Sequence, residues 1–296
     1  MALLIGAAAS AAAHARATTQ IRFQPPAAAD DRRDDYAVQV LELALEQTRR
    51  DFGAVSLQRI GLRMTQDRAV LEMRNGRYIE VLWMMTTPDR ERQLTPVRIP
   101  LAGGMLGVRV PVLPAATGNT LRDVEELAQL QQYVAGQGHD WPDTRILRHN
   151  DIQVTTSTGY DSLFRMLTRG RFDFFPRGIQ ELAAEEDLYQ RYDLEPYPDL
   201  LLAYYAPNYF FVAPDNDALA LRLETGLERA VADGSLEALM RTHPATRDAL
   251  AHLESGQARI IPLENPDLPE FTPVHREELW LDTLFEAVDP PQGRTE

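Results

Sequence analysis

The sequence predicts an α/β protein of two lobes, each a mostly parallel sheet flanked by helices, with two hinge strands joining them. Three observations support this fold class. The length of 296 residues suits two domains. Apolar strand-like runs alternate with segments of helical periodicity in two successive β-α-β-α-β series, which is typical of parallel sheets covered by helices. The chain also passes between the two series twice.

The first series begins with a predicted strand over residues 19–23 and a helix over 36–50, where apolar residues recur at helical spacing. A strand over 55–62 and a helix over 66–75 follow, and an Asn-Gly pair ends that helix. Residues 79–85 form a near-continuous apolar run, which is typical of a strand buried on both faces. These five elements predict the first lobe.

The second series extends from about Thr120 to Tyr192, after a strand predicted over 103–113. Thr120, with Asp123 three residues later, resembles a capping box and predicts the start of a helix. The remaining predicted elements are strands at 133–135, 152–156 and 172–175, a helix at 161–168, and a turn at Gly136-Gln137-Gly138.

The C-terminal part begins with an aromatic strand over 204–212, which we expect to pack rather than to bind. Helices are predicted over 219–232 and 235–243, with Pro244 stopping the second. The hinge crossings are placed near 110–113 and 209–212. The predicted lobes are therefore 16–111 with 213–296 for the discontinuous first lobe, and 112–212 for the second.

Residues 1–15 are predicted to be a secretory signal peptide. Ala2 to Ala13 is a run of small and apolar residues, and Ala13-His14-Ala15 fits a small-residue cleavage site. The alternative is a disordered alanine-rich tail. No other run is long enough for a membrane span, so we expect a periplasmic protein.

The formal net charge of −14 argues against nucleic acid as a partner, because phosphate binding needs a basic surface. All 30 basic residues are arginine and no cysteine is present, which excludes lysine- and thiol-based catalysis. The six histidines lack metal-ligand spacing. We therefore expect no metal and no cofactor, and a monomer.

Several motifs carry a resemblance to a known family: Thr87-Pro88-Asp89-Arg90 after a strand, Gly170-Arg171-Phe172-Asp173 after a helix, and an Ala-Asp-Gly-Ser turn within 219–239. The chain resembles the family 3 solute-binding proteins, the amino-acid-type receptors of ABC transporters, which have the type II periplasmic binding fold. Residues 136–143 and 174–178 resemble a subgroup described only as transporter substrate-binding-like. The resemblance implies a ligand in a cleft between the lobes.

The resemblance implies that Arg90 grips a ligand carboxylate, with Thr87 adding a hydroxyl. A planar guanidinium offers two parallel donors to two carboxylate oxygens. His139, Asp140 and Trp141 are candidate ligand-binding residues where a second-lobe strand leads to a helix. Their structural alternative is capping and core packing.

Tyr160 and Tyr36 could stack on a ligand, with packing as the alternative. Amino-acid receptors usually place an aspartate for the ligand ammonium where this chain has Gly178, next to Arg177. The arginine favours an anionic ligand, and Glu181 either compensates or pairs with Arg177. The binding candidates are Tyr36, Thr87, Arg90, His139, Asp140, Trp141, Tyr160, Arg177 and Glu181.

The predicted function is a non-enzymatic periplasmic receptor that captures a small polar, carboxylate-bearing ligand for an ABC permease. Two alternatives stay open on the same scaffold. One is a dehydratase of prephenate-type acids, with His139, Asp140 or Glu181 as the general acid. The other is a sensing module that takes no part in transport.

Overall fold

The computed structural model describes residues 19–24, 34–62, 64–117, 120–282 and 288. The predicted signal peptide therefore lies outside the described residues. Within the described ranges, no helix is long and apolar enough to cross a membrane.

The strands alternate with helices along most of the chain. The strands are β1 (Thr19–Phe23), β2 (Val55–Arg59), β3 (Leu82–Met85), β4 (Thr95–Val97), β5 (Val108–Pro114), β6 (Val134–Gly138), β7 (Gln153–Ser157), β8 (Phe175–Gly178), β9 (Leu194–Pro196), β10 (Leu200–Ala203), β11 (Asn208–Val212) and β12 (Arg259–Pro262). The helices are α1 (Asp35–Gln47), α2 (Arg49–Phe52), α3 (Gln66–Arg74), α4 (Pro88–Gln93), α5 (Leu127–Leu130), α6 (Asp143–His149), α7 (Tyr160–Thr168), α8 (Glu186–Tyr192), α9 (Asp217–Ala232), α10 (Ser235–Thr242) and α11 (Pro244–Glu254). Short 3-10 turns include Met105–Gly107 and Ile179–Glu185.

The first lobe is built on β1 to β4 and β11. β1 pairs with β2 in parallel, and β11 lies between β3 and β4, antiparallel to both. The backbone N–H of Glu80, just before β3, donates to the carbonyl of Arg22 in β1 at 2.9 Å and so joins the two parts. Helices α1 and α9 pack together over this sheet.

The close contact between α1 and α9 depends on a glycine. A Cβ built on Gly226 of α9 would lie 2.1 Å from the carbonyl oxygen of Ala44 in α1. Only a residue without a side chain allows this approach. The apolar face of α1, including Val40 and Leu41, is thereby fully buried in the core of the first lobe.

The second lobe is a mixed sheet. β6 pairs with β7 in parallel, and a parallel bridge from Ala135 to Phe174 joins them to the β8 segment. β5 lies antiparallel to β8, β9 and β10, and β10 pairs with β12 in parallel. The strands of the β-α-β units thus pair in parallel. β5, which enters from the first lobe, pairs antiparallel with each of its neighbours.

The two connections between the lobes touch each other. Tyr204, just after β10, donates its backbone N–H to the carbonyl of Gly107, just before β5, at 3.1 Å. A Cβ on Gly107 would lie 1.9 Å from the Tyr204 carbonyl oxygen, so a side chain has no room there. The second crossing is therefore the segment Tyr204–Pro207.

Two predicted boundaries differ from this pairing. Residues 208–212 were predicted to belong to the second lobe but form β11 in the first-lobe sheet. The strand pairing is interrupted between β10 and β11 near Pro207, because proline lacks an N–H to donate. Residues 259–262, assigned to the first lobe, form β12 beside β10 in the second-lobe sheet. The other lobe bounds stay predictions.

Two local predictions were wrong. The helix predicted at Thr120 is absent from the described residues there, because the Thr120 hydroxyl donates back to the Thr117 carbonyl at 2.6 Å instead of capping a helix. The predicted glycine turn at 136–138 is the end of β6, paired with residues 155–157 of β7. The helix predicted over 235–243 ends just before Pro244, as expected, and Pro244 also starts α11, since proline is favoured at a first helical position.

Candidate functional site

A cleft of about 290 Å³ lies between the lobes. The crossing segments contribute Leu106 and Arg109 to its walls. The first lobe contributes Gln24, Asp34, Tyr36, Trp83 and Asn208, among others, and the second contributes Trp141, Asp143, Arg177, Gln180 and Glu181. This size and this mixture of aromatic walls with a few polar groups are typical of small-molecule sites.

The first-lobe wall is aromatic and held by hydrogen bonds. The indole N–H of Trp83 donates to Asp34 Oδ1 at 2.7 Å, and the Tyr36 hydroxyl donates to the Leu101 carbonyl at 2.7 Å. Burial raises the pKa of the Tyr36 hydroxyl, so that group stays neutral. Tyr36, a predicted binding residue, thus lines the cleft as a fixed wall.

The second-lobe wall centres on Arg177, whose side chain is only 2% exposed. Its guanidinium carbon lies 4.8 Å from the ring centre of Phe175, 5.2 Å from Trp141 and 5.7 Å from Tyr160. The Trp141 ring stacks on Phe175. Trp141 and Arg177 therefore lie in the cleft wall, as predicted, but face each other.

Two carboxylates already neutralise Arg177. Its Nε donates to Glu185 Oε2 at 2.9 Å, and its Nη2 lies 3.1 Å from Glu181 Oε1. Desolvation lowers the pKa of the Arg177 guanidinium, but the attraction of Glu181 and Glu185 outweighs it, and the pKa ends well above its usual value. Of the two roles predicted for Glu181, the structure shows the ion pair.

A second buried ion pair lies beside the first. Arg109 Nη2 is 2.6 Å from Asp143 Oδ1, and Arg109 Nε donates to the Tyr204 hydroxyl at 2.9 Å. The Tyr204 hydroxyl in turn donates to Asp143. Arg109 Nη1 also lies 3.5 Å from Glu181 Oε2, which links the two pairs into one network.

Three cleft residues hold a fully buried amide oxygen that accepts no hydrogen bond from the described residues: Gln24, Gln180 and Asn208. The amide nitrogen of Gln24 donates to the Met64 carbonyl at 3.0 Å, which fixes which end of that amide is the oxygen. Buried oxygens of this kind usually find a donor. These three oxygens have almost no accessible surface, so they are not among the groups that the cleft presents to a bound molecule.

Arg90 and Thr87 are placed differently from the prediction. Arg90 is 6% exposed and is not among the cleft-lining residues. Its Nη1 donates to the Met85 carbonyl at 2.6 Å and its Nη2 to Gln66 Oε1 at 2.5 Å, while Thr87 caps α4 by accepting from the Arg90 N–H. Burial lowers the pKa of the Arg90 guanidinium to about 10. The Arg90 guanidinium thus holds Met85 and Gln66, two residues of the cleft wall, in place by hydrogen bonds made outside the cleft.

The remaining candidates also lie off the cleft lining. His139 is exposed, with Nδ1 3.5 Å from the Thr156 hydroxyl, and Asp140 is half-buried. The Tyr160 hydroxyl donates to Glu185 Oε1 at 2.5 Å and packs in the second-lobe core. The structure therefore brings together Tyr36, Trp141, Arg177 and Glu181, and leaves the other five candidates outside the wall.

Sequence reasoning missed Arg109, Asp143, Trp83, Gln24 and Asn208. Only Arg109 gave a signal, as a single charge inside the apolar run of β5, where a buried charge requires a partner. Among the described residues, no three His, Asp or Glu side chains come together as a metal site.

Comparisons with solved structures show the fold. An ancestral arginine-binding protein bound to arginine superposes with a TM-score of 0.56 at 15% identity, covering 76% of this chain and 97% of that one. A periplasmic binding protein of Salmonella typhimurium with high arginine specificity gives 0.53 at 16%, covering 76% and 98%. An ancestral amino-acid-binding protein, described as a precursor of cyclohexadienyl dehydratase, gives 0.50 at 12%, covering 68% and 83%.

These superpositions confirm the predicted fold class, the two-lobed periplasmic binding fold with sheets flanked by helices. No family model matches the chain, and no curated protein matches it in sequence. The narrower resemblance to family 3 stays a prediction.

Proposed function

We propose that this protein is an extracytoplasmic solute-binding protein that captures a small polar ligand without chemical turnover. The observation that carries the proposal is the cleft of about 290 Å³, whose walls come from both lobes and from the crossing segments. Solved proteins of this fold include binding proteins described with arginine and with glutamine. Capture for an ABC-type permease is the transport role we propose.

Capture would use closure of the lobes. A ligand between Trp83 on one wall and Trp141 on the other loses its water on both sides when the lobes approach. Desolvation strengthens each polar contact with the ligand, because the local dielectric falls. Contacts made by both lobes favour the closed form, which is the form that a permease would recognise.

A dehydratase is the second candidate, because one solved relative is described as the precursor of such an enzyme. The acids available here do not favour it. His139 is exposed outside the wall, and Glu181 pairs with Arg177 and Arg109. The two carboxylate oxygens of Glu181 are therefore each occupied by a guanidinium of the protein.

A thermal-shift screen of the purified protein tests the binding role, using amines, amino acids, dicarboxylates and phosphorylated acids as probes. At about 100 times its dissociation constant, a specific ligand stabilises the protein by about 2.7 kcal/mol. Mass spectrometry of the incubated ligand should show no product. Failure of every probe class to raise the melting temperature would contradict the proposed function, and turnover would favour the enzyme.

A pair of tryptophan substitutions shows whether binding takes place in the cleft. Ala102→Trp places an indole in the cleft wall and should abolish the ligand shift. Ala218→Trp adds the same side chain on the exposed face of α9 and should leave the shift unchanged. Equal responses of the two variants would place binding elsewhere.

A further inference from the structure

Residues 263–281, which we call the C-terminal strap, lead from the sheet of the second lobe to the helices of the first. The strap begins directly after β12, where the backbone N–H of Leu263 donates to the Ala203 carbonyl at 2.8 Å and prolongs the pairing with β10. At its other end, the backbone N–H of Leu281 donates to the Gly103 carbonyl at 3.0 Å. The strap therefore links the lobes in addition to the two connections described above.

The start of the strap is fixed to α6 of the second lobe. Nδ2 of Asn150, the residue that follows α6, donates to the Glu264 carbonyl at 2.8 Å, and its Oδ1 accepts from the Glu264 N–H at 3.0 Å. One amide thus bonds both backbone groups of a strap residue, which fixes the direction of the strap as well as its position. Arg145 of α6 adds an ion pair, with Nη2 2.9 Å from Oδ1 of the buried Asp267.

The end of the strap is fixed to the first lobe. Arg276 bonds to Glu228 of α9 through two contacts, Nη1 to Oε1 at 2.6 Å and Nη2 to Oε2 at 3.0 Å. A bidentate pair of this kind has a defined orientation. The indole N–H of Trp280 donates to the Pro273 carbonyl at 3.0 Å, and the Trp280 side chain is buried in the core of the first lobe.

The strap also holds the second crossing segment, Tyr204–Pro207. Asn265 Nδ2 donates to the Tyr205 carbonyl at 2.8 Å, and the ring of Trp280 packs edge-on against the ring of Tyr205 with centres 5.1 Å apart. Rotation of the lobes through the backbone torsions of this segment would move Tyr205 relative to the strap. The strap yields little, because its prolines have a fixed φ. These are Pro266, Pro269 and Pro273.

We propose that the C-terminal strap restrains rotation of the lobes and holds the cleft close to the width that this structure shows. A large rotation stretches the strap between α6 and α9, or breaks the bond from Asn265 to the crossing segment. The cleft then receives its ligand between walls that are already positioned, which lowers the cost of ordering them on binding. Closure during capture is correspondingly a small rotation.

The test measures distances between the lobes with a pair of spin labels. The chain has no cysteine, so two introduced cysteines are labelled without background. Leu221→Cys on the exposed face of α9 and Arg165→Cys on the exposed face of α7 place one label on each lobe. Double electron–electron resonance should give one narrow distance distribution for this labelled parent protein. A broad distribution in the parent would contradict the proposal.

The release variant combines Arg145→Ala, Asn150→Ala and Asn265→Ala, which removes the side-chain bonds described above from α6 and the crossing segment to the strap. Loss of these bonds should raise the population of other lobe arrangements at least about tenfold, seen as additional distances in the distribution.

The control variant combines Gln47→Ala, Gln190→Ala and Arg241→Ala, whose bonds each lie within one lobe, and it should keep the narrow distribution. Equal distributions in the release and control variants would overturn the proposal.

Circular dichroism shows whether the release variant folds. If it does not, Arg276→Gln takes its place, because it frees the strap from Glu228 at the opposite end and should broaden the distribution in the same way. A distribution that stays narrow in Arg276→Gln would then overturn the proposal. The measurement needs no ligand, so its failure would leave the proposed function untouched.

Discussion

Glu185→Gln should destabilise the protein strongly, although it removes only one charge. The Glu185 side chain is 1% exposed and is paired with Arg177, which is 2% exposed. It also accepts hydrogen bonds from the hydroxyls of Tyr160 and Tyr189. The glutamine keeps the size of the side chain but leaves the buried guanidinium with Glu181 as its counter-charge.

The magnitude follows from burial. Removing one partner of a buried ion pair costs about 3–5 kcal/mol, because the remaining charge stays in a low-dielectric interior. Glu181, 3.1 Å from Arg177, offsets part of this loss, so we expect about 3 kcal/mol. That is a large fraction of the roughly 5–15 kcal/mol that stabilises a typical domain.

The assay is urea unfolding followed by far-ultraviolet circular dichroism, together with a melting curve. For the second lobe, which has roughly 100 residues, a loss of about 3 kcal/mol should lower the melting temperature by roughly 12–24 °C. The matched control is Glu237→Gln, which removes one partner of the exposed Arg241 pair and should have little effect, because water screens such pairs.

The double variant Arg177→Met with Glu185→Leu should recover much of the lost stability, since it removes both charges together. The reasoning would be refuted if Glu185→Gln were as stable as Glu237→Gln. It would also be refuted if the double variant were less stable than the single one.

Three further predictions follow from the packing. Arg90→Leu should cost about 1–3 kcal/mol of unfolding free energy, because the Met85 carbonyl loses its donor. Calorimetry should show an unchanged ligand affinity. Lost affinity at full stability would restore the ligand-binding role predicted for Arg90. Gly226→Ala should lower the free energy of unfolding, measured in urea, by about 1–3 kcal/mol, because its Cβ clashes with Ala44. Gly61→Ala is the control and should leave that free energy unchanged, since there is open space around Gly61. A stabilised Gly226→Ala variant would contradict the clash. Alkaline pH should unfold the protein, because burial raises the pKa of four tyrosine hydroxyls above the ordinary 10.0. Their contribution to the free energy of unfolding is complete below pH 10.0 and is lost as the pH rises above it. Tyrosinate absorbance should appear together with unfolding, and its appearance in the folded protein would contradict the prediction. The tyrosines are Tyr36, Tyr189, Tyr204 and Tyr209.

The alternation of strands and helices could be predicted because it depends on local periodicity. The strand at 19–23 and the helix at 160–168 each match their prediction to within one residue. The apolar residues of each element face one core, so they recur in the sequence at the period of a strand or of a helix. The buried aromatic residues Tyr209, Phe210 and Phe211 likewise pack, as expected.

The short elements β4, β9, β10 and β12 were missed because each is only three or four residues long. Such segments become strands when a neighbouring strand offers its backbone groups, and this depends on tertiary contacts. Leu200–Ala203, for example, pairs with both β5 and β12, which are far away in sequence.

The site was predicted less well than the fold because an arginine reaches far from its backbone. The motif placed Arg90 at the correct end of β3, but the guanidinium turns to Met85 and Gln66 instead of the cleft. Arg177 pairs with Glu181 and Glu185, which lie within eight residues of it along the chain. Arg109 instead pairs with Asp143 and Tyr204, which are far from it in sequence. Long-range pairs of that kind leave no pattern in a single sequence.

The contact between Gly107 and Tyr204 constrains how the lobes can rotate. The two connections meet there at backbone distance, and the Tyr204 side chain is bonded to Arg109 and Asp143 of the second lobe. We expect both connections to turn with the second lobe as a rigid body. The rotation axis then passes on the first-lobe side of that contact, through the backbone torsions of Tyr205, Ala206 and Pro207.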